Sequence, residues 1–309
     1  SAQNGRMIEA TWREQAMPTA KINGAELYYE THGTGEPLLL IHGLGSSHLD
    51  WEFQLPDFAR HFQVITVALR GFGPSDRTQG PFTVQQHSLD IAALLDHLDL
   101  EQAHILGYSM GGAIAFQLAV DHHHRLQSLV VLNSQPSFEL DHWRKHMMVI
   151  TRIGMARLMG MQRMARYVAK RIFPGPHQAH LRQTMRERHG SNCRNVYLAT
   201  LRALAGWTVA DRIGDISVPT LVVAGADDLS PVEEKRRFVD SMPNAVCEII
   251  ANSGHGTPFD QTRKLNALVL EFLNGLAESA SEQRSARVRG APVTGVPSSL
   301  AGAAADSPP

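Results

Sequence analysis

The chain has 309 residues, 43% hydrophobic and 19% charged, which is enough for one large α/β domain or two smaller ones. Its 29 basic and 30 acidic residues give a net charge of −1, which argues against a nucleic-acid or membrane-surface partner. No apolar run reaches the ~18–20 residues that a membrane-spanning helix needs, so no stable membrane insertion is expected. Two cysteines, Cys193 and Cys247, are too few for a disulfide framework, and we predict a cytoplasmic protein.

The first recognisable element is a β-hairpin. The first 16 residues show no clear periodicity, and we interpret residues 1–18 as an N-terminal extension. Thr19–Ile22 and Ala25–Glu30 then flank Asn23-Gly24, the dipeptide most typical of a tight hairpin turn.

After the hairpin, short apolar runs alternate with segments of helical periodicity. This alternation is typical of parallel strands that are buried on both faces and joined by helices. The predicted strands are Leu38–Ile41, Val64–Ala68, Ala103–Leu106, Leu129–Leu132, Thr220–Ala224 and Val246–Ile250, and the predicted helices are Val84–Leu98, Met110–Asp121, Val232–Asp240 and Gln261–Leu273.

The alternation breaks between residues 137 and 212, where the sequence is helical and contains no credible buried strand. We interpret 137–212, hereafter the helical segment, as an insertion that caps a core made of 19–136 and 213–276. Residues 277–309 are rich in Ser, Ala, Gly and Pro and hold few large apolar side chains, so we predict a disordered tail there.

Ser109 lies in Gly-Tyr-Ser-Met-Gly-Gly (107–112), between a predicted strand and a predicted helix. A Gly-x-Ser-x-Gly in this context is a nucleophile elbow, which raises a serine hydroxyl above the sheet on a strained turn. Strand and helix approach so closely there that a Cβ at Gly107 or Gly111 would collide with its neighbours. Ser109 is therefore the candidate nucleophile.

A glycine-rich loop, His42-Gly43-Leu44-Gly45, follows an earlier strand and is hereafter the oxyanion loop. In this position the backbone N–H of Leu44, together with that of Met110, can bind a developing oxyanion. The alternative is a plain structural turn. We expect His42 itself to be structural and to pack under the loop.

Two further strand ends supply the partners of the serine. Asp227-Asp228 follows one buried strand, and His255, between two glycines, follows the last. The order Ser, Asp, His is that of serine hydrolases built on an α/β sheet, with the histidine as general base and the aspartate orienting it. Only one aspartate can point inward; Asp228 is our choice, and Asp227 is interpreted as a solvated or helix-capping residue.

On these motifs, together with Arg70–Ser75, the chain resembles the α/β-hydrolases of the alpha/beta-hydrolase-1 type from about residue 21 to 273. One departure is Ala68, where the family usually has Asp. The resemblance implies a mostly parallel eight-stranded sheet with helices on both faces and a helical cap. It also implies two-step acyl transfer through Ser109, with no metal and no organic cofactor. Relatives with a carboxylate nucleophile are disfavoured by Ser109.

The helical segment has an unusual composition. It holds 14 Lys and Arg against 4 Asp and Glu, and seven of the 11 methionines. Either the methionines pack the segment onto the core beneath a solvated basic face, or they line an apolar acyl pocket under a cationic entrance. Gly43, Tyr108, Phe138 and Trp143 are the candidate pocket residues.

A triple histidine, His122-His123-His124, invites a metal-site interpretation. Adjacent helical residues point in different directions, so the run makes a poor ligand set. Histidines that interact with the dipole at the end of a helix are the simpler explanation. No metal ligand is assigned.

The sequence therefore favours a carboxylesterase-type serine hydrolase acting on a small-molecule ester. Lactone hydrolysis, as in 3-oxoadipate enol-lactonases, and carbon–carbon bond hydrolysis use the same machinery and stay open, with perhydrolysis as a side activity. A non-catalytic receptor that binds a small ligand on the same fold is the alternative from another class. Oligomeric state is not predicted.

Overall fold

The computed structural model describes residues 18–77 and 80–288. These residues fall into two compact units, one ending at Leu265 and the other beginning at Asn266. Of the predicted N-terminal extension, only Pro18 belongs to the described residues.

An eight-stranded sheet runs through the first unit in the order β1-β2-β4-β3-β5-β6-β7-β8. Strands β3 to β8 pair in parallel, whereas β1 with β2 and β2 with β4 are antiparallel. The predicted fold class, a mostly parallel eight-stranded sheet, is confirmed. The strands are β1 (Thr19–Ile22), β2 (Ala25–His32), β3 (Glu36–Ile41), β4 (Phe62–Val67), β5 (Ala103–Tyr108), β6 (Leu126–Leu132), β7 (Thr220–Gly225) and β8 (Ala245–Ile250).

The central strands are mostly apolar because both of their faces are covered. Every residue of β5 and of β7 is buried. At the edge, by contrast, β1 alternates exposed and buried residues. Its hairpin with β2 turns through Asn23 and Gly24, both at positive φ (46° and 77°), as a tight two-residue turn requires.

Ten α-helices lie among the described residues. Three predicted helices agree with the structure to within one residue at each end, at 84–97, 110–121 and 232–239. The helices are α1 (Leu55–Phe58), α2 (Val84–His97), α3 (Met110–Asp121), α4 (Trp143–Gly154), α5 (Met161–Ile172), α6 (Ala179–Gly190), α7 (Arg194–Leu204), α8 (Val232–Val239), α9 (Thr257–Asp260) and α10 (Thr262–Val288).

The structure corrects the predicted start of the disordered tail. Helix α10 continues through residues 277–288, which the sequence assigned to that tail. This stretch contains neither Gly nor Pro and is made mostly of Ala, Glu, Gln, Arg and Ser, so backbone propensity permits a helix even without large apolar side chains. Residues 289–309 lie outside the described part of the chain.

The chain between β6 and β7 is helical, with α4 to α7 and a five-residue π-helical stretch, Met155–Met159. Its two ends meet in an antiparallel bridge between Ser137 and Thr208. Backbone hydrogen bonds reinforce this junction: Phe138 N–H donates to Trp207 O at 2.7 Å, and Val209 N–H donates to Pro136 O at 2.9 Å. The segment therefore leaves and rejoins the sheet at one place.

Two observations on the described residues bear on membranes and metals. No helix among them is both long and apolar enough to cross a membrane. Across 18–77 and 80–288, no three His, Cys, Asp or Glu side chains come together in a group that could hold a metal ion.

Candidate active site

Ser109 occupies the sharp turn between β5 and α3. Its backbone, at φ 52° and ψ −115°, is in a region that residues other than glycine rarely adopt. The turn is also sterically crowded: a Cβ on Gly107 would lie 2.2 Å from Gly111 O, and one on Gly111 would lie 2.1 Å from Ile41 O. Glycines on both sides of the serine therefore permit the strained turn, as the sequence predicts.

The three residues of the predicted triad lie together. Ser109 Oγ is 2.9 Å from His255 Nε2, and His255 Nδ1 is 2.6 Å from Asp228 Oδ1. Each residue follows the carboxyl end of a strand, namely β5, β7 and β8, and parallel strands bring those ends to one edge of the sheet. The arrangement allows His255 to take a proton from Ser109 while Asp228 orients its ring.

Asp228 rather than Asp227 contacts the histidine. Asp227 is exposed, and its backbone N–H donates to Ser253 O at 2.9 Å. The Asp228 side chain is 1% exposed and also accepts a hydrogen bond from the N–H of Leu229 at 2.7 Å. Burial opposes ionisation of Asp228, but the His255 ring, Lys235 and the Leu229 amide outweigh it and lower its pKa to about 2.

A buried lysine stands behind Asp228. Lys235 Nζ lies 3.4 Å from Asp228 Oδ2 and donates to Ser230 Oγ at 2.5 Å. Burial lowers the pKa of Lys235, an effect that the nearby Asp228 carboxylate partly offsets. Sequence reasoning missed Lys235, because in the helical pattern Val-Glu-Glu-Lys-Arg-Arg a charged residue gives no sign that it points inward.

The oxyanion loop follows β3 and lies beside the serine. Met110 is the first residue of α3, so its N–H is among those without a carbonyl partner one turn earlier in the helix. His42 is buried beneath the loop: its Nδ1 donates to Gly43 O at 2.8 Å, and its Nε2 accepts from Leu69 N–H at 3.0 Å. Burial lowers the pKa of His42 to about 3, so the ring is neutral. These contacts agree with the structural part expected for His42.

A buried carboxylate also contacts the oxyanion loop. Asp50 Oδ2 accepts from the N–H of Gly43 at 3.4 Å, and Asp50 Oδ1 accepts from the hydroxyl of Ser46. Burial raises the pKa of Asp50 to about 6, although both hydrogen bonds favour its ionised form. Sequence reasoning missed Asp50, because it lies in a one-turn helix that carries no motif.

A cavity of about 630 Å³ opens above the serine. All four predicted pocket residues line it, together with Ser109 and His255. Trp143 is 65% exposed, so it lies at the rim. The predicted pocket residues are Gly43, Tyr108, Phe138 and Trp143.

The helical segment supplies much of the cavity wall. Met147, Met148 and Met185 line the cavity, whereas Met161 and Met164 are buried in the hydrophobic core. The methionines are therefore divided between the cavity wall and the core, and Met185 belongs to both. Arg152 and His189 also line the cavity, and the sequence singled out neither.

Comparison with known proteins gives consistent matches. The family model described as alpha/beta hydrolase fold matches residues 36–151. A putative carbamate hydrolase RutD from Caulobacter sp. (strain K31) is 32% identical over 271 residues, which cover 84% of this chain and 100% of that protein. The enol-lactonase from Burkholderia xenovorans LB400 has a TM-score of 0.77 at 25% identity, covering 83% of this chain and 100% of that one. A thermophilic esterase from Thermogutta terrifontis has a TM-score of 0.76 at 26% identity, covering 85% and 99%.

Proposed function

The chain belongs to the α/β-hydrolase fold family, and from this we propose that it is a serine hydrolase that cleaves a carboxylic ester through an acyl-enzyme. The observation that carries the proposal is the continuous contact from Ser109 Oγ through His255 to Asp228. The elbow that holds Ser109 and the cavity above it give a carbonyl carbon access to the hydroxyl. The similarity to an esterase and an enol-lactonase supports the same reaction class.

The proposed reaction has two steps. Ser109 Oγ attacks the carbonyl carbon while His255 Nε2 takes its proton, and the oxyanion is bound by the N–H groups of Leu44 and Met110. The carbon–oxygen bond to the leaving alkoxide then breaks, and His255 returns the proton to that oxygen. Water, deprotonated by His255, attacks the acyl-enzyme, and the acid leaves as Ser109 recovers its proton.

The first test removes the candidate nucleophile by substitution of Ser109. Ser109→Ala is expected to lower kcat for short-chain 4-nitrophenyl esters by about 10⁴-fold or more, without changing the fold by circular dichroism. A fluorophosphonate probe is expected to phosphonylate Ser109 of the wild type, with loss of fluoride, and to leave the variant unlabelled. Turnover at the wild-type rate in Ser109→Ala would contradict the proposal.

A neighbouring pair of aspartates offers a matched control. Asp228→Asn is expected to lower kcat by about 10⁴-fold, because the ring of His255 loses its orienting carboxylate. Asp227→Asn makes the same chemical change at an exposed position and is expected to retain activity. Equal losses in both variants would mean that the Asp228 contact has no special part in the reaction.

Lactone and carbamate hydrolysis are the second candidates. The similarity to a protein named as a putative carbamate hydrolase covers that protein's whole length, and a structural neighbour is an enol-lactonase. A panel of acyl esters of graded length, enol-lactones, carbamate esters and ring-cleavage diketones separates these reactions from carbon–carbon bond hydrolysis. Saturable binding without turnover on any of them would favour the receptor alternative.

We also propose that the helical segment is a cap over the core formed by 19–136 and 213–276. Its helices line the cavity above Ser109, and its ends meet at the Ser137–Thr208 bridge. The unpaired cysteines, Cys193 and Cys247, support a reducing compartment such as the cytoplasm as the location of the protein.

A further inference from the structure

Arg152, on α4, presents its guanidinium to the cavity that contains Ser109. Its Nε donates to the hydroxyl of Tyr197 at 2.8 Å, and its Nη2 donates to the same oxygen. The guanidinium carbon also lies 5.5 Å from the centre of the Tyr197 ring. Tyr197 is fully buried, so it fixes the arginine from a rigid position.

This cation is half-buried and lacks a counter-ion. Within 18–77 and 80–288, no carboxylate lies within 4 Å of Arg152, and its Nη1 has no hydrogen-bond acceptor. Three of the 14 basic residues of the segment do form ion pairs: Lys145 lies 2.8 Å from Asp141, Arg188 lies 2.6 Å from Glu52, and Arg212 lies 2.8 Å from Asp121. An anion beside this partly desolvated guanidinium would supply the opposite charge that the described residues do not.

The two carboxylates of the cavity wall, Asp50 and Glu139, form hydrogen bonds with residues other than Arg152. Asp50 accepts from Ser46 and Gly43, and the exposed Glu139 accepts from the Ser137 hydroxyl at 3.1 Å. Neither is an ion-pair partner of Arg152. The guanidinium is therefore available to a ligand.

Arg152 lies close to the oxyanion loop. The ring of Tyr197, whose hydroxyl binds the arginine, lies against Gly45: an ideal Cβ on that glycine would be 3.2 Å from Tyr197 Cε2. His189 lies beside it, with Nδ1 3.0 Å from the same Cβ position. His189 is buried, and its Nδ1 has no hydrogen-bond partner within the described part of the chain.

We propose that Arg152 is a specificity-determining residue that binds a carboxylate on the acyl part of the substrate. The inference rests on the proposed ester hydrolysis and names its substrate class: esters or lactones of dicarboxylic acids. A carboxylate on the acyl part stays bound through both acylation and deacylation, whereas one on the leaving group departs after the first step. Apolar side chains in the same wall, Val149, Met185, Leu201 and Leu204, suit the methylene chain between the two carboxyl groups.

Two esters that differ only in the distal charge test the proposal. The mono-4-nitrophenyl ester of adipic acid and 4-nitrophenyl hexanoate have acyl chains of equal length, and Ser109→Ala supplies the spontaneous background rate. Wild type is expected to have the higher kcat/KM for the adipate ester. Arg152→Gln is expected to lower that value about tenfold or more and to change the hexanoate value less than about threefold, and Arg152→Lys should recover part of the loss.

Arg157→Gln is the matched control. It removes the same charge from an exposed position of the helical segment that does not line the cavity. It is expected to leave the preference between the two esters unchanged. A wild-type preference for hexanoate, equal losses on both esters in Arg152→Gln, or an equal effect of Arg157→Gln would each overturn the proposal.

A binding experiment separates this inference from the proposed function. Titration of the wild type with free adipate or hexanoate, followed by calorimetry, needs no turnover. Adipate binding that is abolished in Arg152→Gln supports the anion site. If no ester is hydrolysed at the same time, only the proposal of ester hydrolysis is wrong. Absence of adipate binding, or binding that is equal in Arg152→Gln, overturns the anion site even if Ser109 hydrolyses neutral esters.

Discussion

Lys235 and Asp228 form a buried ion pair behind the candidate catalytic histidine. Lys235 Nζ lies 3.4 Å from Asp228 Oδ2, and both side chains are 1% exposed, while the other carboxylate oxygen faces His255 at 2.6 Å. The aspartate therefore has a cation on each side when His255 is protonated. Lys235 adds to the effect of the His255 ring in favouring the ionised form of Asp228 against burial.

Removing this lysine is expected to slow the reaction. Lys235→Met leaves the contact between Asp228 and His255 but raises the pKa of Asp228, because one of the charges that lower it is gone. We expect kcat on a 4-nitrophenyl ester to fall about tenfold, the equivalent of ~1.4 kcal/mol. The acid limb of the kcat profile should also move to higher pH.

Lys264→Met provides the control, since it removes a lysine charge from an exposed position. Its pH–rate profile should match that of the wild type. A kcat profile of Lys235→Met that also matches the wild type would show that the buried pair contributes nothing to the reaction.

Asp50 is expected to make stability depend on pH. Its pKa is raised by burial from 3.8 to about 6, so the unfolded chain releases this proton first as the pH rises. Protonated Asp50 therefore adds to the free energy of unfolding fully below about pH 4. This contribution, about 3 kcal/mol, is lost as the pH rises to about 6. Asp50→Asn cannot ionise, so its stability relative to wild type should increase across that window.

Urea unfolding at several pH values between about 4 and 7 measures this effect. Asp215→Asn, at an exposed position, should show no such trend. A stability difference between Asp50→Asn and wild type that stays constant across the window would contradict the prediction.

The crowding at the elbow predicts that a Gly→Ala substitution there lowers stability strongly, whereas the same substitution at an uncrowded glycine does not. Gly111→Ala would place a Cβ 2.1 Å from Ile41 O, a backbone atom that cannot move away cheaply, and should cost at least ~2 kcal/mol. Gly154→Ala, in open space at the end of α4, should stabilise the protein by up to ~1 kcal/mol. Thermal unfolding of the two variants tests both signs, and a Gly111→Ala variant as stable as wild type would be inconsistent with the close approach.

A second buried ion pair supports the hairpin. Arg70 Nη2 lies 2.7 Å from Asp90 Oδ1, with the side chains 2% and 0% exposed, and the arginine also donates to Asn23 O at 3.0 Å. Arg70→Met leaves Asp90 buried without its cation, and we expect a loss of about 3–5 kcal/mol in denaturant unfolding. Arg60→Met, at a 73% exposed position, should cost less than about 1 kcal/mol. Similar costs in the two variants would refute this assignment.

The features that could be predicted from the sequence, the buried strands and the three triad residues, all depend on short local patterns. The buried strands are continuous apolar runs, and Ser109, Asp228 and His255 each follow such a run in a fixed order, so their convergence follows from parallel topology. Arg152 and Tyr197 could not be paired in this way, because they lie 45 residues apart on different helices. Helical periodicity indicates that a residue faces inward, but not which residue of another helix it meets.

The junction at Ser137 and Thr208 has an evolutionary consequence. Since the chain departs from β6 and returns to β7 through two adjacent backbone positions, an insert of another length or helix count can be attached there without displacing either strand. The proposed catalytic residues lie in the core, and the proposed specificity residue, Arg152, lies in the helical segment. The two regions can therefore evolve independently. Exchange of the segment between homologues could change substrate range in a single recombination event.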